Sequence, residues 1–198
     1  MAPSYVGFVP FNLDAQHALF AGRLPESLTP DAVQFEALWA LHPKEYHVVR
    51  MPIGEVKTPR WQQAYERDYQ YTGRVNQALP IPSSLEGILA WVRETIDARL
   101  NGVLVNWYDG AIGHYIGAHH DSTKNMVPDA PIVTLSLGEE RIFRLSHPKT
   151  KERRDFAARD GVVFVMPYAT NKVWKHEVPR FARWRGRRIS ITFRAFQD

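Results

Sequence analysis

The hydrophobic period of the chain changes at Gly102, and no other feature of the 198 residues constrains the fold as strongly. Before this point, the segment 82–102 carries apolar residues at helical spacing. After it, apolar and polar residues alternate in short runs bounded by turn residues, which is typical of strands. These runs are 102–109, 130–138, 141–146, 161–167 and 187–196. Helical segments followed by short strands predict an α+β fold, with a β-sandwich or jelly roll and helices packed on one face.

The N-terminal part predicts two shorter helices, at 14–24 and 29–42. In the second, Thr29 is the expected N-cap and Pro30 the first helical residue. The aromatic alternation of 68–73 predicts a strand that ends at a glycine. We therefore expect mixed helical and extended pieces ahead of the long helix in 82–102.

The composition excludes several classes of site. The sequence contains no cysteine, so disulfides and thiolate metal sites are excluded, and any metal ligand must be nitrogen or oxygen. The first residues show no basic and apolar leader, and no apolar run approaches the roughly 20 residues of a membrane span. We expect an intracellular protein that does not bind membranes.

The formal net charge is +4, and the basic residues are concentrated in 147–154 and 179–188. Such patches attract nucleic acid through the release of counterions. A solvated basic face is the commoner explanation of the same pattern. Charge alone leaves both interpretations open.

A cluster of ionisable residues, IGAHHD, occupies 116–121. In an extended segment His119 and Asp121 point to one side, and the histidine between them points to the other. They would supply two ligands of a metal site, and a third must come from elsewhere. His147 lies in a charged turn, whereas His176 follows a strand candidate, so we choose His176. Two histidines and one aspartate with open positions are typical of non-haem Fe(II) oxygenases. A local hydrogen-bonded pair without metal is the alternative.

The last strand candidate places charge on a strand that should be buried. Its polar face carries Arg188, Ser190, Thr192 and Arg194, and its opposite face is apolar. A buried guanidinium needs an anion, and a small dicarboxylate would satisfy both arginines. Asn106 and Tyr108 share a face of another strand candidate and can donate to the same anion. Pairing of each arginine with a protein carboxylate is the alternative.

Together these residues resemble the AlkB-type dioxygenases, which depend on Fe(II) and 2-oxoglutarate. The matching segments follow the family's order and are 58–73, 105–110, 116–121, 131–138, 174–179 and 187–194. The resemblance implies a double-stranded β-helix, a form of jelly roll, in one domain over 1–198. It places N-terminal helices and a nucleotide-recognition lid at about 1–80, and a helix with the jelly-roll catalytic core at about 81–198.

Carried over residue by residue, the resemblance assigns the iron to His119, Asp121 and His176. It assigns one carboxylate of 2-oxoglutarate to Arg194 and the other end of the molecule to Arg188. The other residues it assigns to this cosubstrate are Asn106, Tyr108, Ser190 and Thr192. Molecular oxygen is the second cosubstrate that it implies.

The resemblance also implies a substrate, an N-alkylated base of the 1-methyladenine or 3-methylcytosine type in DNA or RNA, demethylated by a monomer. The side chains expected at the flipped base or its phosphates are Tyr71, Tyr69, Trp61, Tyr65, Arg60 and Ser122. For the aromatic members of this set, packing in the core and sheet is the alternative.

One departure from the family leaves the identity of the base open. Members that repair DNA carry an acidic base-reading residue just after the metal aspartate, where this chain has Ser122 and Thr123. The alternative functions are the same chemistry on a protein or small molecule, and a non-catalytic module that binds nucleic acid.

Overall fold

The computed structural model describes residues 4–51, 53–71 and 74–197, except for the side chains of Met51 and Tyr71. The N-terminal elements are β1 (Val9–Asn12), β2 (Ala18–Arg23), α1 (Ala32–Trp39), β3 (Val48–Met51), β4 (Gly54–Lys57), β5 (Trp61–Tyr65), β6 (Tyr69–Tyr71), β7 (Arg74–Asn76) and β8 (Ala78–Leu79). The later elements are α2 (Ser83–Thr95), β9 (Gly102–Asp109), β10 (Ile116–His119), β11 (Ile132–Gly138), β12 (Arg141–Ser146), β13 (Arg153–Ala158), β14 (Val162–Met166), α3 (Tyr168–Val173), β15 (Lys175–Val178) and β16 (Arg187–Arg194).

Across these described ranges, the longer strands form two sheets. The large sheet has eight strands in the order β1-β2-β14-β11-β16-β9-β5-β8, and the small sheet has four in the order β10-β15-β12-β13. The pairs β3-β4 and β6-β7 form separate two-stranded hairpins. This mostly β architecture with few helices confirms the predicted jelly-roll core.

The main apolar core lies between one face of the large sheet and the helices α1 and α2. Val105 of β9 and Ile191 of β16 belong to this face, and Leu85 of α2 packs against it. A second apolar cluster joins the opposite face to the small sheet through residues such as Phe143 and Phe164. The alternation predicted for β16 is therefore confirmed, and in β9 Val103, Val105 and Trp107 face the helices whereas Leu104 lies on the other face.

The segment 14–24 was predicted as a helix, and that prediction is wrong. Residues 18–23 form strand β2, which pairs with β1 on one side and β14 on the other. Leu19 is buried between the sheets, and its neighbour Phe20 is buried beneath the helices. Because both faces of β2 are covered, the segment lacks the apolar–polar alternation that identifies a strand with one solvated face.

Two details of the predicted helices are also corrected. In α1 the N-cap is Asp31 rather than Thr29, because the Asp31 carboxylate accepts a hydrogen bond from the Gln34 amide at 2.8 Å. The Gln34 side chain in turn accepts from the Asp31 amide, which completes a capping box. The helix α2 ends at Thr95, so Gly102 begins a strand instead of ending the helix.

Strand β13 was missed because its sequence is highly charged and was interpreted as part of a basic turn. It is an edge strand that pairs only with β12 in the small sheet as described, and its side chains are largely exposed. No helix within the described ranges is long and apolar enough to cross a membrane.

Candidate active site

Strand pairing brings His119 and His176 side by side. They are register partners in the antiparallel pair β10-β15, and their ring centroids lie 4.3 Å apart. Asp121 follows β10, and its Oδ1 lies 3.5 Å from His119 Nε2 and 3.7 Å from His176 Nε2. The three candidate ligand atoms all lie within 4.8 Å of one another, so a single ion can contact all of them.

The protonation of these groups suits a metal. His119 Nδ1 donates to the Gly117 carbonyl at 2.8 Å, which leaves the Nε2 lone pair available. Burial lowers the pKa of His176 to about 3, so this imidazole is neutral at pH 7. Burial opposes the ionisation of Asp121, but the Arg194 guanidinium overrides it and holds the pKa of this carboxyl well below its usual range. The neutral imidazole of His176 and the ionised carboxylate of Asp121 therefore lie beside His119 Nε2.

Two residues fix the position of Asp121. Arg194 donates to Asp121 Oδ2 from Nε at 3.0 Å and from Nη2 at 2.5 Å. The buried amide of Asn171 accepts from the Asp121 backbone N–H at 2.9 Å and donates to the Asp121 carbonyl at 3.0 Å. His120 donates to the Asn171 carbonyl. No sequence pattern predicts this role of Asn171, because a single asparagine in a short helix carries no signal of a distant partner.

The candidate ligands open into a cavity between the sheets, the iron cavity, which holds about 470 Å³ including its mouth. The predicted cosubstrate residues that line it are Asn106, Tyr108, Arg188, Ser190, Thr192 and Arg194. Apolar side chains from both sheets complete the wall, and they are Leu104, Ile116, Phe143 and Val178. The structure thus brings together every residue predicted to hold iron or 2-oxoglutarate.

Arg188 is a buried cation that forms no ion pair within the described part of the chain. Its side chain is 0% exposed, and its Nε donates to Ser136 Oγ at 2.8 Å. Within the described residues, Nη1 and Nη2 have no hydrogen-bond partner. Burial lowers its pKa to about 10, against the opposing effect of the nearby Tyr108 phenol. A guanidinium that remains charged at pH 7 and is unpaired in a cavity is suited to a carboxylate.

Arg60 lies in the wall of the iron cavity rather than at a phosphate-contacting surface, which corrects its predicted position. It is 4% exposed, and its Nε donates to Asn106 Oδ1 at 2.7 Å.

The structure separates the aromatic residues predicted for the substrate. Tyr69 lines the iron cavity, and its hydroxyl donates to Asp121 Oδ1 at 3.5 Å. The backbone of Tyr71 pairs with Arg74 in β6-β7, but its side chain lies outside the described structure. Tyr65 belongs to the main core. Trp61 stacks between His42 and Tyr46, with ring centroids at 4.1 and 5.5 Å. Packing, not base contact, therefore accounts for Tyr65 and Trp61.

A second depression, the outer cleft, shares Tyr69 with the iron cavity. Its walls are Arg67, Asp68, Tyr69, Gln70, Ser122, Lys124, Asn125, Phe196 and Gln197. Ser122 is half-buried here, and its Oγ accepts from the Lys124 amide at 3.3 Å. The cleft places the residues that follow the metal aspartate opposite the segment that carries Tyr69.

Comparison with known proteins agrees with this geometry. Residues 27–194 match the family model of the 2OG-Fe(II) oxygenase superfamily. The chain is 30% identical over 134 residues to the human DNA oxidative demethylase ALKBH2, covering 64% of this chain and 51% of that protein. The mouse protein of the same name is 29% identical over 134 residues, covering 64% and 56%. The chain therefore spans about half the length of the curated relatives it matches.

A more distant relative and a solved structure extend the comparison. The rat alpha-ketoglutarate-dependent dioxygenase alkB homolog 3 is 27% identical over 112 residues, covering 52% of this chain and 38% of that protein. The solved structure of OsALKBH1 superposes with a TM-score of 0.59 at 14% identity, covering 94% of this chain and 99% of that one. At this identity the likeness supports the fold alone.

Proposed function

Because the chain belongs to the 2OG-Fe(II) oxygenase superfamily, we propose that it is a dioxygenase that oxidatively demethylates N-alkylated bases in DNA or RNA. The observation that carries the cosubstrate assignment is the unpaired guanidinium of Arg188 in the cavity of the His119, Asp121 and His176 cluster. The choice of a nucleic-acid substrate rests on similarity to proteins named DNA oxidative demethylase.

The residues present fit the iron and the cosubstrate. Two imidazole nitrogens and one carboxylate oxygen, with open positions beside them, are the ligand set of non-haem Fe(II). Nη1 and Nη2 of Arg188 have no hydrogen-bond partner within the described structure. Their planar arrangement matches the two oxygens of a carboxylate. Arg194, already bonded to Asp121, would face the carboxylate at the other end.

When bound, iron with 2-oxoglutarate and O2 supplies the oxidant for the C–H bond of an N-methyl group. In the overall change 2-oxoglutarate and O2 become succinate and CO2, while N–CH3 becomes N–H and formaldehyde.

The protein contributes position and environment. Arg188 anchors one carboxylate of the cosubstrate, and Asn171 fixes the backbone of Asp121. Arg194 keeps the Asp121 carboxyl ionised as a ligand. The apolar walls formed by Leu104 and Phe143 limit access of water to the reacting groups.

The test is succinate formation from 2-oxoglutarate, with Fe(II) and O2, in the presence and absence of single-stranded oligonucleotides that carry one N-methylated base. We expect stimulation by a methylated oligonucleotide together with formaldehyde release. His176→Ala should abolish turnover, whereas His147→Ala, a histidine in the β12-β13 turn, should retain it. Turnover that no methylated oligonucleotide stimulates would contradict the nucleic-acid substrate.

The second candidate function is the same chemistry on a protein or small molecule. The feature that favours it is Ser122, which lines the outer cleft where repair members of the resembled family present an acidic residue. Basal turnover that depends on His176 but ignores oligonucleotides would support this alternative.

A further inference from the structure

A further pocket, the edge pocket, lies beside β5 near one edge of the large sheet. Its walls include Tyr46, His47, Gln62, Gln63, Val75 and Leu79. It holds about 870 Å³ including its mouth, a size that is usual for small-molecule sites. None of its described lining residues belongs to the iron cavity or to the outer cleft, so it is a separate site.

Gln62 presents a buried amide to this pocket. The residue is 2% exposed, and neither its Nε2 nor its Oε1 has a hydrogen-bond partner within the described residues. Two neighbouring amides are occupied by the backbone. Gln63 Nε2 donates to the Gln77 carbonyl at 2.9 Å, and Asn76 Oδ1 accepts from the Ala64 amide at 3.1 Å. Because an unbonded buried amide lowers stability, the amide of Gln62 points to a ligand.

His47 adds a third unbonded atom to the same wall. Its Nε2 is buried and has no partner within the described part of the chain. Burial, with smaller effects of the Arg60 and Arg74 charges, lowers the pKa of His47 below 6.5, so the imidazole is neutral at pH 7. In the tautomer protonated at Nδ1, Nε2 accepts a hydrogen bond. The wall then offers one donor, Gln62 Nε2, and two acceptors, Gln62 Oε1 and His47 Nε2.

The rest of the edge pocket suits an uncharged ring rather than a phosphate. Among its described lining residues there is no arginine or lysine, and Glu45 is the one carboxylate. Val75 and Leu79 are 49% and 51% exposed and supply apolar surface. Apolar walls with a few convergent polar groups are typical of sites for small heterocycles.

The unbonded atoms match the edge of an adenine base. A glutamine amide pairs with the amine and the adjacent ring nitrogen of adenine, which present a donor and an acceptor side by side. The second hydrogen of the same amine can be donated to His47 Nε2. We propose that the edge pocket binds a nucleobase that carries an exocyclic amine beside an unprotonated ring nitrogen, as adenine does. Gln62 and His47 are the residues that recognise it.

The edge pocket lies one strand away from the iron cavity. Gln62 of β5 is the register partner of Asn106 of β9, and Asn106 lines the iron cavity. Register partners project from the same face of a sheet, and neighbouring strands are about 4.8 Å apart. A nucleic-acid strand whose target base enters the iron cavity can therefore place another of its bases in the edge pocket. This source of the base rests on the proposed function, whereas the recognition chemistry does not.

Free nucleosides test the recognition chemistry. Adenosine and purine riboside, which is adenosine without its amine, are titrated calorimetrically into the protein loaded with Fe(II) in the absence of O2. Adenosine should bind about tenfold more tightly, as expected for hydrogen bonds that only its amine can donate. Excess 2-oxoglutarate should leave its affinity unchanged. Equal affinity for the two nucleosides, or competition by 2-oxoglutarate, would overturn the inference.

Matched variants assign the binding to Gln62. Gln62→Met removes the donor and the acceptor at nearly constant size and should lower the affinity for adenosine about tenfold. Its thermal midpoint should stay level or rise, because a buried unbonded amide is removed. Gln63→Met is the control, since the Gln63 amide is already bonded to the backbone, and it should keep the affinity of the parent protein. An equal loss in the two variants would contradict recognition by Gln62.

Two single-stranded oligonucleotides identify the source of the base. Both carry one 3-methylcytosine, with adenines on both sides in one and thymines on both sides in the other. Tighter binding of the adenine-flanked strand that Gln62→Met abolishes, measured by fluorescence anisotropy, supports the inference with the strand as the source. Adenosine binding without this preference supports it with a free nucleoside as the source.

The same samples separate the inference from the proposed function. Formaldehyde release is measured from both oligonucleotides with the loaded enzyme. Adenosine binding that depends on Gln62, without demethylation of any methylated oligonucleotide, overturns the proposed function and leaves the inference standing. Demethylation without adenosine binding overturns the inference alone.

Discussion

At the scale of the residue, the two arginines of β16 show how one pattern leads to two roles. Arg188 and Arg194 lie on the same face of the same strand, and both are buried. Arg194 forms a short ion pair with Asp121, so a protein carboxylate already neutralises part of its charge. Arg188 has no such partner among the described residues, so its Nη1 and Nη2 atoms are not occupied by a protein group.

Arg188→Met should separate ligand binding from stability. Loss of the buried fork should weaken 2-oxoglutarate binding about 100-fold, since hydrogen bonds to charged groups contribute about 1.5–3 kcal/mol each. The thermal midpoint of the ligand-free protein should stay level or rise, because a buried unpaired charge is removed. Calorimetric titration and thermal melting provide the two measurements. Arg187→Met is the control, because Arg187 is partly exposed and pairs with Glu36; an equal loss of affinity there would contradict the assignment.

His114 predicts a pH dependence of stability. Its Nδ1 accepts from the Asp109 amide at 3.1 Å, so Nε2 carries the proton and donates to the Tyr46 hydroxyl at 3.0 Å. Burial lowers the pKa of His114 below its ordinary 6.5. Because the folded pKa is the lower one, the stabilisation is complete above pH 6.5 and is lost as the pH falls below it.

The free energy of unfolding, measured in denaturant from pH 7.5 to 5, should therefore decrease toward low pH. In His114→Gln the unfolding free energy should decrease less steeply with falling pH. The two slopes should differ by at most about 1.4 kcal/mol per pH unit, which is the contribution of one proton. Tyr46→Phe removes the hydrogen-bond partner of His114 but keeps the titrating group. In this variant the unfolding free energy should therefore change with pH as steeply as in the parent protein. Burial and the charge of Arg60 also lower the pKa of His47. His47 therefore contributes the same pH dependence of the unfolding free energy to the parent and to both variants.

At the scale of the element, α3 holds the loop that carries Asp121. The helix has six residues, yet Thr170 and Asn171 are both buried and both bond to distant segments. Thr170 donates to the Ala18 carbonyl of β2 at 2.9 Å, whereas Asn171 bonds the backbone of Asp121 in both directions. The short helix α3 is thus hydrogen-bonded both to β2 and to the loop that carries Asp121.

Asn171→Ala should lower the affinity for Fe(II) by about 10- to 100-fold, which is the usual effect of removing a group that orients a metal ligand. Thr170→Ala is the matched control, since it removes a buried hydrogen bond from the same helix without touching the loop. Both variants should lose stability, but only Asn171→Ala should lose metal affinity, as measured by competition with a chelating dye. Equal metal affinity in the two variants would show that Asn171 has no positioning role.

At the scale of the whole molecule, the basic segments lie in different places. Arg180 and Arg185 are exposed in the loop after β15, and the last residue of β15, Val178, lines the iron cavity. Lys149 and Lys151 are exposed in the turn between β12 and β13. The loop is therefore the better candidate for contact with a nucleic acid whose base enters the cavity.

Reversing both loop charges, Arg180→Glu with Arg185→Glu, should lower affinity for a single-stranded oligonucleotide about tenfold at moderate salt. The slope of log K against log salt should fall by about 1.4, at about 0.7 for each lost phosphate contact. Lys149→Glu with Lys151→Glu changes net charge equally and should have a smaller effect. A larger loss in that control would place the nucleic acid at the β12-β13 turn instead.

Features that depend on neighbouring residues could be predicted from the sequence, and features that depend on distant contacts could not. Strand β9 is predicted to the residue because its alternation is a property of eight consecutive positions. The segment 14–24 was mistaken for a helix because burial of both faces of β2 erased that alternation. The candidate ligand cluster could be predicted because His119 and Asp121 are close in sequence and few histidines remained as the third member.

By itself the sequence determined the strands of the core, the polar face of β16 and the donor atoms available for a metal. These depend on side-chain chemistry and on the period of two along a strand. Only the tertiary structure decided which arginine pairs with Asp121, that Asn171 bonds the backbone of Asp121, and that Arg60 faces the cavity. Those outcomes depend on contacts between segments 46 to 73 residues apart. Such contacts form when the sheets and α3 assemble, and no local pattern records them.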